Sequence, residues 1–401
     1  MAKTRQFSFV DLFSGAGGMS YGFHRHKSFK LIAAADAEIG KPSMGEGSLQ
    51  CNSTYALNMG FEPKQINLAE VELGALRREL RLSENQKLSV LSVCPPCTGF
   101  SRANPQNHLE DDRRNSLVQR AAEFVEVLDP EVVVMENARE LLRGNFRSHF
   151  DKFKERLEEL GYRVSANTYF LSKFGVPQIR ERAIVIASKT KYSHHTLEDL
   201  WAGWQIKESA LTVRSAFKAI SKNATGISDY PGITNDTVKS RMEAIPKNGG
   251  SWAELIHHPD GNELMTPAMK RIVAKNKLGS HPDVYGRMSW DKPAPTIKRE
   301  CAHVGNGRYA HPVEDRLCSI REMAMLQGFP NEFSFEGSSM ANKYRHIGDA
   351  VPPLLSYQLA HVANWILTEK RPELEQVLLS GTQLSKSSLV ETDQMELLLH
   401  A

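Results

Sequence analysis

The sequence predicts an α/β protein with a mostly parallel sheet flanked by helices and a second, smaller, loop-rich domain. Three observations predict it. Short apolar runs alternate with segments of helical period through the first half of the chain. Those runs are continuous rather than alternating, as strands buried on both faces are. After Ser188 the texture changes to irregularly spaced Gly, Pro, Asn and His.

Taken in order, the predicted strands cover residues 8–12, 31–35, 88–93, 132–135, 164–170 and 183–188. Residues 116–128 and 150–160 read as amphipathic helices, the second stopped by Gly161. Regular structure is expected again at residues 319–326 and in a terminal helix over 353–367. The predicted division is 1–189 for the first domain and 190–315 for the loop-rich one. Residues 316–370 form a hinge and return, and 371–401 a C-terminal tail of mixed character. No fixed-period repeat is visible.

Of the 401 residues, 41% are hydrophobic and 24% charged, an ordinary globular composition that argues against wholesale disorder. The net charge of +3 is too small to announce a nucleic-acid partner. Its distribution says more: residues 267–299 hold eight Lys or Arg against two Asp. Such an excess suits a phosphate backbone as well as it suits a solvated face. No run of about 18 apolar residues occurs, so neither a secretory signal nor a membrane span is expected. Five cysteines, few and odd in number, suit reduced thiols in a cytoplasmic protein.

Val10-Asp-Leu-Phe-Ser-Gly-Ala-Gly-Gly18 sets a glycine-rich turn between a predicted strand and a helix. Such a turn lets a ligand approach the main chain closely. Asp36 ends the next strand, where a carboxylate can bond ribose hydroxyls. A dinucleotide fingerprint would want glycine at position 20, which is Ser20. The loop therefore points to a nucleoside-bearing cofactor without naming one, and a purely structural turn remains open.

Val93-Cys-Pro-Pro-Cys-Thr-Gly-Phe-Ser101 follows another strand. Cys97 would sit at the sheet rim where ligands bind, in a loop that the two prolines restrict. A thiolate there is a strong nucleophile if positive charge lies nearby. Cys94 and Cys97 also have redox-pair spacing, and either could be a buried structural thiol. No second C-x-x-C or suitably spaced Cys/His pair completes a zinc site, so no metal is expected. Further on, Glu136-Asn-Ala138 ends a strand, and Gln178-Ile-Arg-Glu-Arg182 opens one. Taken singly, these read equally as a helix cap and a solvated edge.

The order of these motifs closely resembles that of the C5-cytosine-specific DNA methyltransferases. Arg316-Leu-Cys-Ser-Ile-Arg-Glu322, Leu326-Gln-Gly-Phe-Pro330 and Ile347-Gly-Asp-Ala-Val-Pro352 continue the match, which runs from about Phe9 to Ala363. The resemblance implies a Rossmann-like, S-adenosylmethionine-dependent catalytic domain and a smaller target-recognition domain over 190–315. Double-stranded DNA would lie between them, with the target cytosine flipped out. Cys97 would add to carbon 6 of that base, and Glu136 would bond ring N3 and the exocyclic amine. Arg182 would contact the base carbonyl and support the thiolate, with Arg180 and Gln178 behind it. For the cofactor the match implies Phe13 against adenine, Gly15, Gly17 and Gly18 near the amino-acid end, and Asp36 on the ribose. Glu38 is the second ribose candidate, and Pro96, Asp349, Ala350 and Val351 would complete the pocket. Thr296 matches a phosphate-contacting threonine, with Lys298, Arg299 and Ser101 as further DNA contacts. Residues 98–114 match a mobile loop that closes over the flipped base.

Three departures stand out. Asp349 replaces the usual asparagine near the cofactor, Asn67 stands where an acid usually meets the adenine amine, and residues 40–50 look inserted. The alternatives are an RNA cytosine-5 methyltransferase on the same fold and a catalytically silent DNA-binding homologue. Residues 246–252 and 262–281 are candidates for base reading, with no base assigned. A monomer in the bacterial cytoplasm or nucleoid, with or without a cognate restriction endonuclease, is the expected setting.

Overall fold

In the computed structural model, the residues described are 6–39, 48–96, 111, 113–276 and 283–392. Seven strands form the central sheet: β1 (Phe7–Leu12), β2 (Phe29–Asp36), β3 (Lys64–Gln65), β4 (Val90–Val93), β5 (Val132–Ala138), β6 (Tyr162–Phe170) and β8 (Glu181–Lys189). Their order is β3-β2-β1-β4-β5-β8-β6. The first five are parallel; β8 is antiparallel to both β5 and β6. The expectation of a mostly parallel sheet holds, and the antiparallel end has a simple cause. No long crossover helix separates β6 from β8, only a single 3-10 turn (Leu171–Phe174) and β7 (Gln178–Ile179), so the chain reverses direction.

Alternate side chains of each strand serve opposite faces. Phe9, Val132, Val134, Ile184 and Ile186 join one buried cluster, and Val10, Leu12, Val133, Met135 and Val185 the other. Helices α1 (Gly18–Arg25) and α7 (Pro353–Thr368) cover the first face. Helices α3 (Leu117–Leu128) and α4 (Ser148–Glu159) cover the second with Phe124, Val125, Phe153 and Leu157. Strands buried on both faces explain the continuous apolar runs of the sequence.

Contact between α1 and α7 brings the C-terminal segment back to the glycine turn. A Cβ on Gly22 would lie 2.1 Å from the Tyr357 amide nitrogen. One on Gly18 would lie 2.2 Å from the Val351 carbonyl oxygen. Ser356 Oγ fastens the crossing by donating to the Gly18 carbonyl (2.8 Å) and accepting from the Gly22 amide (3.1 Å). Helix α5 (Ile320–Leu326) starts at a reciprocal Ser319–Glu322 cap, as residues 319–326 predicted. Among the helices that went unpredicted are α2 (Cys51–Met59), after the segment read as an insertion, and α6 (Met340–Asp349).

Residues 190–315 carry short helices with little sheet, and their buried Met242, Trp252 and Leu255 join the cluster on the first face. Two small sheets tie this region down. β10 (Ala294–Pro295) runs parallel to β7, and β9 (Trp204–Ile206) pairs antiparallel with β11 (Leu389–Glu391) from the tail. Of the inserted segment, 40–47 lie outside the described residues; its end is pinned by an Ile39–Ser48 bridge. Among the described residues, no helix is long and apolar enough to cross a membrane.

Candidate active site

The C-terminal ends of β1, β2, β4 and β5 open into one cavity of about 330 Å³. The glycine turn forms its floor: Phe13, Ser14, Gly15 and Gly18 line it. Phe13 takes φ +60°, Gly15 φ +51° and Gly17 φ +92°, so the turn is left-handed at three positions before α1 begins. Gly17 lies outside the wall, packed against Tyr55. Asp36 lines the cavity and accepts from the amides of Gly15 (2.9 Å) and Glu38 (2.7 Å). Glu38 turns away, its carboxylate accepting from the Asn52 amide (2.7 Å) at the start of α2. Of the two ribose candidates, Asp36 lines the cavity and Glu38 does not. Asn67 is on the wall, and its carbonyl oxygen accepts from the Ala69 amide (3.1 Å), leaving a second lone pair.

Beneath the floor, Asp11 is fully buried and accepts from Ser20 Oγ at 2.6 Å. Burial pushes its carboxyl up to about 7, against the lowering effect of the Ser20 and Ser92 hydroxyls.

The far wall comes from β4 and β5. Cys94, Pro95, Pro96 and Glu136 all line the cavity. Cys94 Sγ accepts from the Glu136 amide (3.3 Å), and burial with the Asp11 carboxyl nearby drives its thiol well above the usual range. That environment holds Cys94 as a thiol and makes it a poor nucleophile. Cys97 lies outside the described residues, one position beyond Pro96. Ser101 and most of 98–114 lie outside them too; Arg114, at the end of that stretch, is on the cavity wall.

Register explains the acid–arginine pair. Glu136 sits opposite Ile184 across the antiparallel β5–β8 ladder, so Arg182 is its diagonal neighbour on the same face. Their side chains meet at 3.0 Å, with Glu136 8% and Arg182 15% exposed. Oε1 and Nε approach as an ion pair without hydrogen-bond alignment, so each keeps its directional bond for another partner. Arg182 backs Glu136 and is not itself on the wall.

Gln178 and Arg180 serve a different purpose. Both are buried, and neither lines the cavity. Gln178 accepts from the Ile297 amide (2.9 Å) and donates to Gln327 Oε1 (2.7 Å) and the Leu326 carbonyl (3.2 Å). Arg180 donates to the carbonyls of Ile297 (2.9 Å) and Ala350 (3.5 Å). Gln327 adds a bond to the Ala350 carbonyl (2.9 Å). Together they brace residues 297–299 and 349–351, which close the cavity through Arg299, Asp349, Ala350 and Val351.

The expected DNA contacts divide. Lys298 is exposed, and Thr296 donates its hydroxyl to the Ile179 carbonyl. Arg299 turns inward onto the cavity wall, 2.9 Å from Asp349. Arg299, His346, Leu49 and Cys51 are wall residues that sequence reasoning did not assign to the cofactor end. No local motif marks them, since their places depend on the chain's return.

The residues fit an adenosine-bearing sulfonium cofactor on the structure's own terms. Ser14 Oγ is a buried polar atom at the wall with no hydrogen-bond partner among the described residues. Apolar wall (Phe13, Ile39, Ile66, Leu68) and carboxylate wall (Asp36) stand side by side, as a base with a ribose requires.

Comparison with known proteins agrees. The model of the C-5 cytosine-specific DNA methylase family matches residues 7–364. The Type II methylase M.HgiDII of Herpetosiphon aurantiacus is 32% identical over 365 residues, 88% of this chain and 93% of its own length. The Type II methyltransferase M1.BsuMI of Bacillus subtilis (strain 168) is 29% identical over 89% of this chain and 80% of its own. An E. coli prophage protein described as a DNA modification methyltransferase superposes with a TM-score of 0.62 at 18% identity, covering 90% of this chain and 99% of its own, a likeness of fold. With the match covering nearly the whole chain, and strand-end motifs gathered around one cavity, this protein belongs to the C-5 cytosine-specific DNA methylase family, the DNA cytosine-5 methyltransferases.

Proposed function

We propose that this chain methylates carbon 5 of a cytosine flipped out of double-stranded DNA, using S-adenosylmethionine and a covalent Cys97 adduct. The observation that carries the reading is the single cavity joining the glycine turn and Asp36 to Pro96 and Glu136. Cofactor and target base would meet in one enclosed space.

Phe13 would pack on the adenine, Asp36 would bond the ribose, and Asn67 would accept from the adenine amine. Gly15 and Gly18 leave the main chain open to the amino-acid end. Bound there, S-adenosylmethionine supplies the electrophilic methyl that carbon 5 receives. The Cys97 thiolate adds to carbon 6, and the electron pair of the 5,6 double bond moves toward carbon 5 and the N3 side of the ring. Glu136 bonds N3 and the exocyclic amine, stabilising the charge that develops there. Arg182 fixes Glu136 from behind. A base then takes the proton from carbon 5, the double bond re-forms, and Cys97 leaves as thiolate. Gln178 and Arg180 are positioning residues for the closing wall.

Residues 190–315 would read the target sequence, with Thr296 and Lys298 near the DNA backbone. The named relatives are Type II methylases. On this reading the chain is a monomer in the bacterial cytoplasm or nucleoid, with or without a cognate restriction endonuclease. The test uses S-adenosylmethionine labelled on its methyl group, with unmethylated genomic DNA and transfer RNA in parallel, followed by digestion to nucleosides. Label in 5-methyldeoxycytidine is expected. Label confined to RNA would overturn the DNA reading.

A further inference from the structure

The return wall carries a charged pair that the family pattern does not predict. Where an asparagine is usual, this chain has Asp349, and Arg299 Nη1 lies 2.9 Å from its Oδ2. The approach is built in. A Cβ on Gly348 would come within 2.2 Å of the Lys298 carbonyl oxygen and 2.7 Å of the Arg299 amide nitrogen, so the two backbones touch and the side chains must meet.

Both members of the pair line the cavity. Two other carboxylates of the wall stand at other places: Asp36 against the Gly15 and Glu38 amides, Glu136 on the far wall against Arg182. Arg299 Nη2 is buried without a hydrogen-bond partner among the described residues, so one donor of the fork is unused there. Asp349, 35% exposed, keeps an open side toward the cavity. The pair adjoins Ala350 and Val351, which contact Gly18 at the end of the glycine turn.

We infer that Asp349 and Arg299 act together as the receptor for the zwitterionic amino-acid end of the cofactor. The Asp349 carboxylate takes the ammonium and the Arg299 guanidinium takes the carboxylate. The inference rests on the cofactor reading above and moves Arg299 from the DNA backbone to the cofactor. Opposite charges side by side complement a zwitterion, and each is held in place by the other before the ligand arrives. Asp349 is then half of a charged pair rather than a defective asparagine. Restoring the amide would leave Arg299 unbalanced on the cavity wall.

Burial raises the Asp349 carboxyl to about 6, opposed by Arg299 and Arg180 and reinforced by Glu300. Arg345 also lowers it, while His346, nearby on the wall, bonds Thr54 and the Leu49 carbonyl and is held below its usual range chiefly by burial. Ammonium binding needs the carboxylate, so wild-type affinity should fall as pH drops through 6.

The test is calorimetric binding of S-adenosylhomocysteine and of 5′-methylthioadenosine, which lacks the amino-acid end. Wild-type protein, Asp349→Asn and Arg299→Met are compared at pH 7.5, with thermal melting as a control for folding. Each variant is expected to lose roughly tenfold or more in affinity for S-adenosylhomocysteine and to bind 5′-methylthioadenosine like wild type. Asp349→Asn should also lose the fall in affinity below pH 6. Unchanged S-adenosylhomocysteine binding in both variants would overturn the inference, as would equal losses for the two ligands. Wild-type protein that binds neither ligand would overturn the cofactor reading itself.

Discussion

The cavity has two kinds of wall, and they are held in different ways. Phe13 to Gly18, Asp36, Pro96 and Glu136 sit at the ends of sheet strands, fixed by ladders of backbone hydrogen bonds. Residues 297–299 and 349–351 belong to no sheet, and the side chains of Gln178, Arg180 and Gln327 secure them from behind. A ladder shares its load among many bonds, whereas a brace of three side chains concentrates it. Substitutions behind the return wall should therefore disturb the cofactor more than comparable ones in the sheet.

The largest effect on that contrast is expected from Gln178→Leu. It leaves the Ile297 amide and Gln327 Oε1 unpaired in a buried place, each at a cost of about 1–3 kcal/mol. Thermal melting should register the loss, and S-adenosylhomocysteine affinity should fall at least tenfold. An unchanged affinity would show that the return wall does not depend on its brace.

Asp11→Asn probes the floor. A carboxyl raised to about 7 in the folded protein contributes stability that is present below the unfolded value near 4 and lost as pH rises through 7. The substitution should accordingly stabilise the protein at pH 8, by up to about 3–4 kcal/mol, and change little near pH 4. Denaturant melts across this range would measure it, and a gain of the same size at both ends would contradict the burial argument.

A smaller effect separates two glycines of one turn. Gly18→Ala pushes against the Val351 carbonyl and should weaken cofactor binding by roughly tenfold, with a stability loss of about 1–3 kcal/mol. Gly15→Ala meets no atom within 4 Å and bears only the left-handed φ, at about 1 kcal/mol. Equal effects on binding would mean that the return wall yields easily. Smallest of all, Cys94→Ser should retain activity within a few-fold, because a thiol held protonated by burial has no part in attack.

The same division decides how much the sequence could reveal. The strands of the sheet were legible because they are buried on both faces and read as apolar runs. Phe13, Asp36 and Glu136 were legible because strand-end chemistry lies next to its strand. Arg299 was not: its neighbours Thr296 and Lys298 suggested a phosphate partner, and only the contact of Gly348 with 298–299 turns it inward. Gln178 and Arg180 were read with the catalytic residues, yet they lie behind the cavity wall, and their bracing depends on segments more than a hundred residues away. Helix α6 was missed because its polar sequence carries few apolar positions, and packing decides its fate.

The most direct test of the central claim is single-turnover transfer of labelled methyl to DNA by wild-type protein, Cys94→Ser and Cys97→Ser, each first shown to bind S-adenosylhomocysteine. The account predicts label on carbon 5 of cytosine with wild type and Cys94→Ser. Cys97→Ser should lose at least about a thousandfold in rate while keeping its affinity. Transfer by Cys97→Ser at a rate near wild type would contradict it.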